Sequence, residues 1–329
     1  MTGIYKVVRF IIVSLLLLVV VVPSLLYVIL SLPAVQDSVR KRTETELSRL
    51  LGTDVSIGSV VITPFNKVYV RRVAVVDCQG DTALKVRRIG AGVSFGNLIW
   101  NRKIVFNFAE VLGLEAKVYR DSIGAPTNID CIIEALKPKD KNKNKPPTEF
   151  DFRINAIVIR QARLIYDVKN QPYMARGIDP NHIDVKDLNA DLRLPSMKRD
   201  DYTIDLRRLA FKLTNGFTVN SFGCNLHLTP SMAALSGLKI VMPGSQIAFS
   251  PVSIEYGDWN SLDKEKLASI PVDIELLPGS YFRPADIRHL MAATLPQYIS
   301  DSRYDLSFKA EGTLDDLSIS DLHLAMQGA

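Results

Sequence analysis

Strict alternation of apolar and polar residues is the feature of this sequence that most limits its fold. The segment Leu188-Asn-Ala-Asp-Leu-Arg-Leu194 alternates throughout, and Val272–Leu276 and Tyr304–Ala310 follow the same rule. This period of two residues begins near Asp54 and recurs along the rest of the chain. A period of two places side chains of one kind on one face of a strand. The pattern therefore predicts a mainly β protein, an antiparallel meander with one apolar and one polar face.

The N-terminus has a different pattern, because the segment from Phe10 to Leu32 contains no charged residue. At about 1.5 Å per residue it would form a helix about 34 Å long, enough to cross a hydrocarbon core of about 30 Å. A cleaved signal peptide is the alternative, since Lys6 and Arg9 form a basic start. The apolar part of a signal peptide spans only about 7–15 residues, and no A-x-A cleavage site follows. We therefore predict a retained transmembrane helix over residues 10–32.

Charge does not decide the orientation of this helix, since Lys6 and Arg9 precede it and the basic run Arg40–Arg42 follows it. Long domains are exported largely regardless of their charge. We therefore expect a cytoplasmic stub of residues 1–9 and an exported body, which corresponds to a single-pass inner-membrane protein if the cell is Gram-negative.

A second, amphipathic helix is predicted over residues 33–52. Pro33 suits the first turn of a helix, Val35, Val39 and Leu47 follow at helical spacing, and Gly52 supplies a stop. This helix either caps the end of the sheet or lies on lipid headgroups. The capping role is favoured, and the two roles are compatible.

The Lys- and Pro-rich run at residues 137–148 cannot bury apolar surface and is predicted to be a linker. It separates a first β segment, residues 53–136, from a second, residues 149–329, which we expect to continue in a longer parent protein. Three short helices are predicted inside these segments, at residues 97–99, 261–267 and 284–293.

The composition gives little sign of chemistry. The net charge of +5 is too small to imply nucleic acid binding. Cys78, Cys131 and Cys224 lie far apart without a C-x-x-C motif, which is neither a disulfide framework nor a zinc site. We interpret them as three small buried side chains; one disulfide is the alternative in an oxidising compartment.

No catalytic motif is present. The four histidines are scattered, and the glycines of Gly90–Gly96 have the wrong spacing for a phosphate-binding turn. Neither G-x-S-x-G nor H-E-x-x-H occurs. We therefore expect a protein that is not an enzyme and that uses no metal or cofactor.

A sheet with one apolar face must place that face somewhere. Two such faces meet in a sandwich, the face contacts lipid in an outer-membrane barrel, or it lines an open trough that accepts hydrocarbon chains. A barrel is disfavoured, because a retained helical anchor would hold it in the wrong membrane. Periodicity alone does not separate the sandwich from the trough.

The arrangement resembles the AsmA-like family, most closely the N-terminal part of its TamB (translocation and assembly module) branch. The resemblance covers essentially the whole chain, but the large C-terminal domain typical of that branch is missing. It is carried by the anchor, the linker and the segments Leu47-Ser-Arg-Leu-Leu-Gly-Thr53, Val55-Ser-Ile-Gly-Ser-Val-Val-Ile62, Gly113-Leu-Glu-Ala-Lys-Val-Tyr119, Phe150-Asp-Phe-Arg-Ile154, Leu276-Leu-Pro-Gly-Ser280 and Gly312-Thr-Leu-Asp-Asp-Leu317.

The resemblance implies an elongated β-groove in the periplasm that carries phospholipid acyl chains between the inner and outer membranes. Its alternatives are an assembly and secretion factor for outer-membrane proteins, with an outer-membrane partner of the BamA or TamA type, and a structural envelope tether. The residues expected to line the groove are Ile104, Phe106, Phe108, Leu114, Val118, Phe152, Ile154, Val158, Leu192, Ile204, Leu206, Ile274, Leu306 and Phe308.

Overall fold

The computed structural model is mainly antiparallel β-sheet with a few helices. It describes residues 24–25, 27–29, 31–63, 67–93, 104–137, 150–151, 155–198, 200–258, 269–291, 294–313 and 315–327. The chain divides into two compact units. Unit 1 comprises Met1–Val111 and Asn128–Arg153, and unit 2 comprises Leu112–Thr127 and Ile154–Ala329.

Unit 1 is a small sheet with a helix at its edge. Its strands follow the order β1-β2-β3-β4, and the short β5 pairs in parallel with the start of β4. The elements are α1 (Pro33–Leu51), β1 (Val55–Ile62), β2 (Lys67–Val76), β3 (Thr82–Val93), β4 (Ile104–Arg120, which runs on into unit 2), α2 (Asp130–Leu136) and β5 (Phe150–Asp151).

Unit 2 is a larger meander in which most neighbours in sequence are neighbours in the sheet. The order is β4-β6-β7-β8-β9-β10; β11 and β12 both pair with β10, β13 and β14 both pair with β15, and β16 pairs with β15. The elements are β6 (Ala156–Val168), β7 (His182–Lys198), β8 (Asp201–Leu213), β9 (Thr218–Leu228), β10 (Met232–Val241), β11 (Gln246–Ala248), β12 (Val252–Glu255), β13 (Val272–Leu276), β14 (Tyr281–Phe282), α3 (Gln297–Ser300), β15 (Arg303–Gly312) and β16 (Leu317–Gln327).

Helix α1 begins and ends where the sequence indicates, with Pro33 in its first turn and Gly52 at φ 68° as its C-cap. Its side chains satisfy the backbone of the edge strand β1. The Glu44 carboxylate accepts a hydrogen bond from the Ile57 N–H at 2.6 Å, and the Ser48 hydroxyl accepts one from the Val55 N–H at 3.0 Å. An uncovered edge strand is open to pairing with other chains. Helix α1 therefore caps the sheet by hydrogen bonding.

The core of unit 1 lies on one face of β1, β2 and β3. Val55 faces Val75 and Ile57 faces Val73 across the first strand pair, and Val73 faces Val86 across the second. All five side chains are buried. Burial of a valine or isoleucine side chain contributes about 1.5–3 kcal/mol, so this apolar layer is the main stabilising feature of the unit.

A disulfide between Cys78 and Cys131 joins the β2–β3 turn to α2, with the two Cα atoms 6.0 Å apart. The expectation of three buried, unpaired cysteines is therefore wrong, and Cys224 alone is free. The turn is further held by the buried Asp77, whose carboxylate accepts hydrogen bonds from the Asn128 side chain and the Asp81 N–H. The disulfide and the Asn128–Asp77 contact join residues more than fifty positions apart, so no local pattern indicates them.

The short helices differ from the sequence expectation. Where one helix was predicted at residues 284–293, the described residues 284–291 contain two 3-10 turns, Pro284–Asp286 and Arg288–Leu290. The Asp286 carboxylate accepts a hydrogen bond from the Gly244 N–H at 2.9 Å, a contact with a residue distant in sequence. Helices α2 and α3 were not expected; neither has a side-chain cap that the sequence could reveal.

Several predicted segments lie outside the described residues: the helices at 97–99 and 261–267, the linker apart from Lys137, and most of the span at 10–32. Within the described part of the chain, no helix has both the length and the apolar character needed to cross a membrane.

Replacement of Glu44 by alanine should expose the β1 edge. A hydrogen bond to a charged group contributes about 1.5–3 kcal/mol, so we expect Glu44→Ala to lower the free energy of unfolding by that amount and to accelerate amide exchange at Ile57. Hydrogen exchange and urea unfolding measure this. Glu46→Ala is the matched control, because Glu46 pairs with Arg49 on the exposed side of α1. Equal effects in the two variants would contradict the capping role.

Thiol titration of the unfolded, unreduced protein should find one free cysteine, and titration after reduction should find three. Alkylated peptides analysed by mass spectrometry should carry the label at Cys224 before reduction. Labelling of Cys78 or Cys131 before reduction would show that the disulfide is absent from the purified protein.

Candidate functional site

Cross-strand register builds a continuous apolar face in unit 2. Residues that stand opposite each other in an antiparallel pair project from the same face of the sheet. One row of paired apolar residues crosses six strands, from β6 to β11. Its members are Ile159, Ala190, Leu209, Phe222, Ile240 and Ile247.

Further rows run beside it on the same face. Ile157 faces Leu192, which faces Leu206, which faces Cys224. The next row extends as far as β12 and consists of Ile204, Leu226, Leu235 and Val252. A last row consists of Tyr202, Leu228, Ala233 and Ile254. We call this surface of unit 2 the apolar face.

Bulges keep the apolar residues on this face. Between Ile159 and Ala162 the register of β6 shifts against β7, and Gln161 takes a positive φ of 54°. Its N–H donates to the Asn189 side chain at 3.1 Å. A bulge places two residues of one strand opposite a single residue of its partner. Ala162, after the bulge, therefore projects from the same face as Ile159, before it. The same occurs between Leu206 and Leu209 on β8.

Strands β13, β15 and β16 continue the apolar face. A bridge from Phe249 to Leu276 joins them to the strands described above, and Leu276 faces Phe308. Leu306 faces Leu324 on β16. Leu324 is 62% exposed, and its neighbours Leu322 and Met326 are exposed to a similar degree.

Among the residues that the structure describes, no second layer covers the four rows of the apolar face. Every residue of the four rows is half-buried, and none is fully buried. Residues inside a closed sandwich would be packed on both sides and shielded from solvent. Two fully buried residues of the same face, Ala162 and Val219, stand opposite Leu188 and Phe211 at one margin, beyond the four rows. The four rows themselves remain accessible to an apolar ligand.

The outer face of the same strands is polar. Asp191 pairs with Arg160 at 2.6 Å, and Asp184 pairs with Arg163 at 2.8 Å. The guanidinium of Arg163 lowers the pKa of Asp184 by hydrogen bonding to it, against the effect of burial. These cross-strand ion pairs keep the outer face hydrated, so the two sides of the sheet differ sharply in what they can bind.

A cavity of about 670 Å³ lies beside the Arg163–Asp184 pair, under the loop that precedes β7. There both ring nitrogens of His182 contact acceptors, Asp167 Oδ1 at 2.6 Å and the Gln171 carbonyl at 3.0 Å. Burial lowers the pKa of His182, but these hydrogen bonds and the nearby carboxylates raise it above its usual value overall. The lining of this cavity mixes charged side chains such as Asp167 and Asp184 with apolar ones such as Ile165 and Ile183, so it is less uniform than the apolar face.

The structure brings six of the expected lining residues to the apolar face: Leu192, Ile204, Leu206, Ile274, Leu306 and Phe308. Leu114 and Val118 lie in the part of β4 that belongs to unit 2, and by alternation they share a face with Arg120, whose guanidinium lies 5.6 Å from the Tyr166 ring. Tyr166 faces Ile183 and shares a face with Leu164.

Val158 is placed elsewhere. It faces Asp191, whereas its neighbour Ile157 faces Leu192, so Val158 projects from the outer face. The prediction extended the alternation of apolar residues from Phe150 to Val158, and this gave the wrong side for Val158. The strand is also irregular just beyond this point, at the bulge of Gln161. Ile157 and Ile159 occupy the apolar face of β6 instead.

The remaining expected residues are not assigned to this face. Phe108 belongs to unit 1, where it covers Gly92 and lies 5.6 Å from the Lys67 ammonium. Ile104 and Phe106 are described only by their backbone in β4, and Phe152 and Ile154 lie outside the described residues.

Sequence reasoning missed several residues of the face, among them Ile159, Leu209, Phe222 and Ile240. For Ile159 and Leu209, the local sequence contains a pattern that could have identified them. Ile159-Arg-Gln-Ala162 and Leu206-Arg-Arg-Leu209 both place two polar residues between apolar ones. This spacing is typical of a bulge that preserves the buried or apolar side of a strand.

The face offers hydrophobic contact and few reactive groups. Cys224 is its only thiol, and burial, together with the charge of Asp205, raises the pKa of that thiol. Within the part of the chain that the structure describes, no cluster of His, Cys, Asp and Glu side chains could hold a metal ion. The arrangement is suited to binding methylene groups.

Alkylation of Cys224 should report on this environment. The thiolate is the reactive form, and a raised pKa leaves less of it at neutral pH. We expect maleimide to label Cys224 more slowly at pH 7 in the folded protein than in urea, with the two rates converging as the pH rises. Equal rates at pH 7 would show that the thiol is fully solvated.

Comparison with known proteins gives a family. A model of the AsmA family matches residues 1–207, more than half of the 329 residues. No curated protein and no solved structure matches the chain. The sequence alternation, the mainly β fold and this match agree: the chain belongs to the AsmA family.

Proposed function

We propose that this protein is a non-enzymatic, membrane-anchored lipid-transfer protein of the TamB branch, and that its apolar face carries phospholipid acyl chains between the inner and outer membranes of a bacterial envelope. The observation that carries the proposal is the apolar face of unit 2, whose four rows are only half-buried and, within the described part of the chain, have no second layer over them. AsmA family membership is consistent with a role in the envelope.

The energetics favour an acyl chain as the occupant. Each methylene group removed from water contributes about 0.8 kcal/mol. The six-strand row from Ile159 to Ile247 contains five strand spacings of about 4.8 Å, or about 24 Å of continuous apolar surface. A charged headgroup would remain in solvent, so the lipid could move along the face without losing its hydration.

The Cys78–Cys131 disulfide supports an exported body. Disulfides persist in oxidising compartments such as the bacterial periplasm and are rare in the cytosol. Together with the uncharged segment from Phe10 to Leu32, this supports a single span with residues 1–9 in the cytoplasm and the two units in the periplasm.

Assembly of outer-membrane proteins is the second candidate function. It is favoured by β16, which pairs with β15 on one side and, among the described residues, with no strand on the other. Such an edge can accept an extended client segment by strand addition, with a partner of the BamA or TamA type at the outer membrane. A structural tether would need a sealed core and is disfavoured by the half-buried rows.

Native mass spectrometry of protein purified in mild detergent tests the transfer function. We expect bound phospholipid in the wild type and a loss of about tenfold or more in Ile157→Lys, because an ammonium group among acyl chains costs more than about 1.4 kcal/mol. Val158→Lys is the matched control: it is adjacent in sequence but projects beside Asp191 on the outer face, and it should retain the lipid.

Circular dichroism checks that both variants fold. Lipid-free wild-type protein, or equal loss in the two variants, would contradict transport along the apolar face. Client segments crosslinked to β16 in lipid-free protein would favour the assembly role.

A further inference from the structure

Strands β2 and β3 of unit 1 carry an unusual concentration of positive charge. Their sequences, Lys67–Val76 and Thr82–Val93, contain six basic residues and no acidic residue. The part of β4 that belongs to unit 1 adds one carboxylate, Glu110, which pairs with Arg88 at 2.8 Å. The sheet therefore presents a strong excess of cations.

Cross-strand register gathers four of these cations into one cluster, Arg71, Arg72, Arg87 and Arg88, which we call the arginine block. Arg71 stands directly opposite Arg88, and Arg72 and Arg87 lie between that pair and the next pair, Val73 and Val86. Like charges that stand opposite each other destabilise a sheet. The block is therefore a feature that strand pairing alone does not favour.

Backbone geometry turns the block toward solvent. Arg72 takes a positive φ of 52°, which interrupts the alternation of β2, and both Arg71 and Arg72 are exposed. Arg87 is exposed as well, whereas Val73 and Val86 are buried on the other side of the sheet. Arg71, Arg72 and Arg87 therefore reach solvent, whereas Arg88 is half-buried beside Glu110.

Helix α1 connects the arginine block to the proposed membrane span. The Arg40 guanidinium donates to the Ile57 carbonyl at 3.4 Å, and Ile57 faces Val73, the residue next to Arg72. Arg40 is eight residues beyond Leu32, the end of the proposed span, which is about 12 Å of helical rise. Arg40 is the first residue of α1 that contacts β1, and Glu44 and Ser48 make the next contacts one and two turns farther along the helix.

We infer that the arginine block docks unit 1 on the anionic phospholipid surface of the membrane that holds the anchor. The inference rests on the membrane anchor of the proposed function. Electrostatic attraction to headgroups acts over a Debye length of about 8 Å at physiological salt. A long arginine side chain brings its charge closer to the membrane and so increases the distance at which the strand can be attracted. Clusters of basic residues close to a span bind anionic headgroups in this way, and guanidinium groups pair well with phosphate.

Hydrogen exchange in nanodiscs tests the inference. The full chain is reconstituted into discs of phosphatidylcholine alone and into discs that also contain phosphatidylglycerol. We expect amide exchange in residues 67–93 to be at least about threefold slower in the anionic discs, and the difference to disappear in high salt because the contact is electrostatic.

The triple variant Arg71→Gln, Arg72→Gln and Arg87→Gln should lose this protection. Its matched control removes three exposed arginines from unit 2, Arg193→Gln, Arg207→Gln and Arg208→Gln, and should keep the protection. The triple variant should fold, because the substitutions remove repulsion between neighbouring arginines. Circular dichroism and an intact Cys78–Cys131 disulfide verify that it does.

Each contrary result has its own meaning. Protein that fails to co-elute with either kind of disc overturns the anchor and the docking together. Protein that inserts in both discs but shows equal exchange overturns the docking alone, as does protection that survives the triple variant. Protection produced by inorganic phosphate in the neutral discs would identify a free anion as the ligand and would also overturn membrane docking.

Discussion

Cross-strand registration of apolar side chains is the constraint on which the rest of unit 2 depends. The row from Ile159 to Ile247 exists only because each strand is paired in one register with the next. A slip of one residue would move the whole set to the outer face. The bulges at Gln161 and between Leu206 and Leu209 correct the register where the strands would otherwise drift. Hydrophobic contact along one side of the sheet thus requires local irregularity in the strands.

The two edge strands, β1 and β16, differ in how far their edges are protected. Glu44 and Ser48 of α1 accept hydrogen bonds from two N–H groups at the start of β1, so that part of the edge is closed. Strand β16 has exposed apolar residues such as Leu322 and Leu324, and among the described residues its outer edge meets no helix or strand. Edge protection is common because open edges promote association. The protection of one edge and not the other is consistent with addition of further β-structure at β16.

The two units use the solvent side of their sheets for different chemistry. In unit 2 the outer-face charges neutralise each other, as in the Arg160–Asp191 and Arg163–Asp184 pairs, and the opposite face is apolar and open. In unit 1 the apolar side is packed and the solvent side carries the arginine block. This division supports membrane contact by the first unit and acyl-chain binding by the second, two parts of one proposed function.

The sequence by itself determined the mainly β class, the amphipathic α1 with Pro33 and Gly52 at its ends, and part of the apolar side of unit 2, because these follow from local periodicity and backbone preference. Tertiary structure decided which side Val158 takes, which cysteines pair and where the arginines of β2 and β3 meet. These outcomes depend on partners distant in sequence: strand register and long-range contacts are set by the packing of whole strands, which no short pattern encodes.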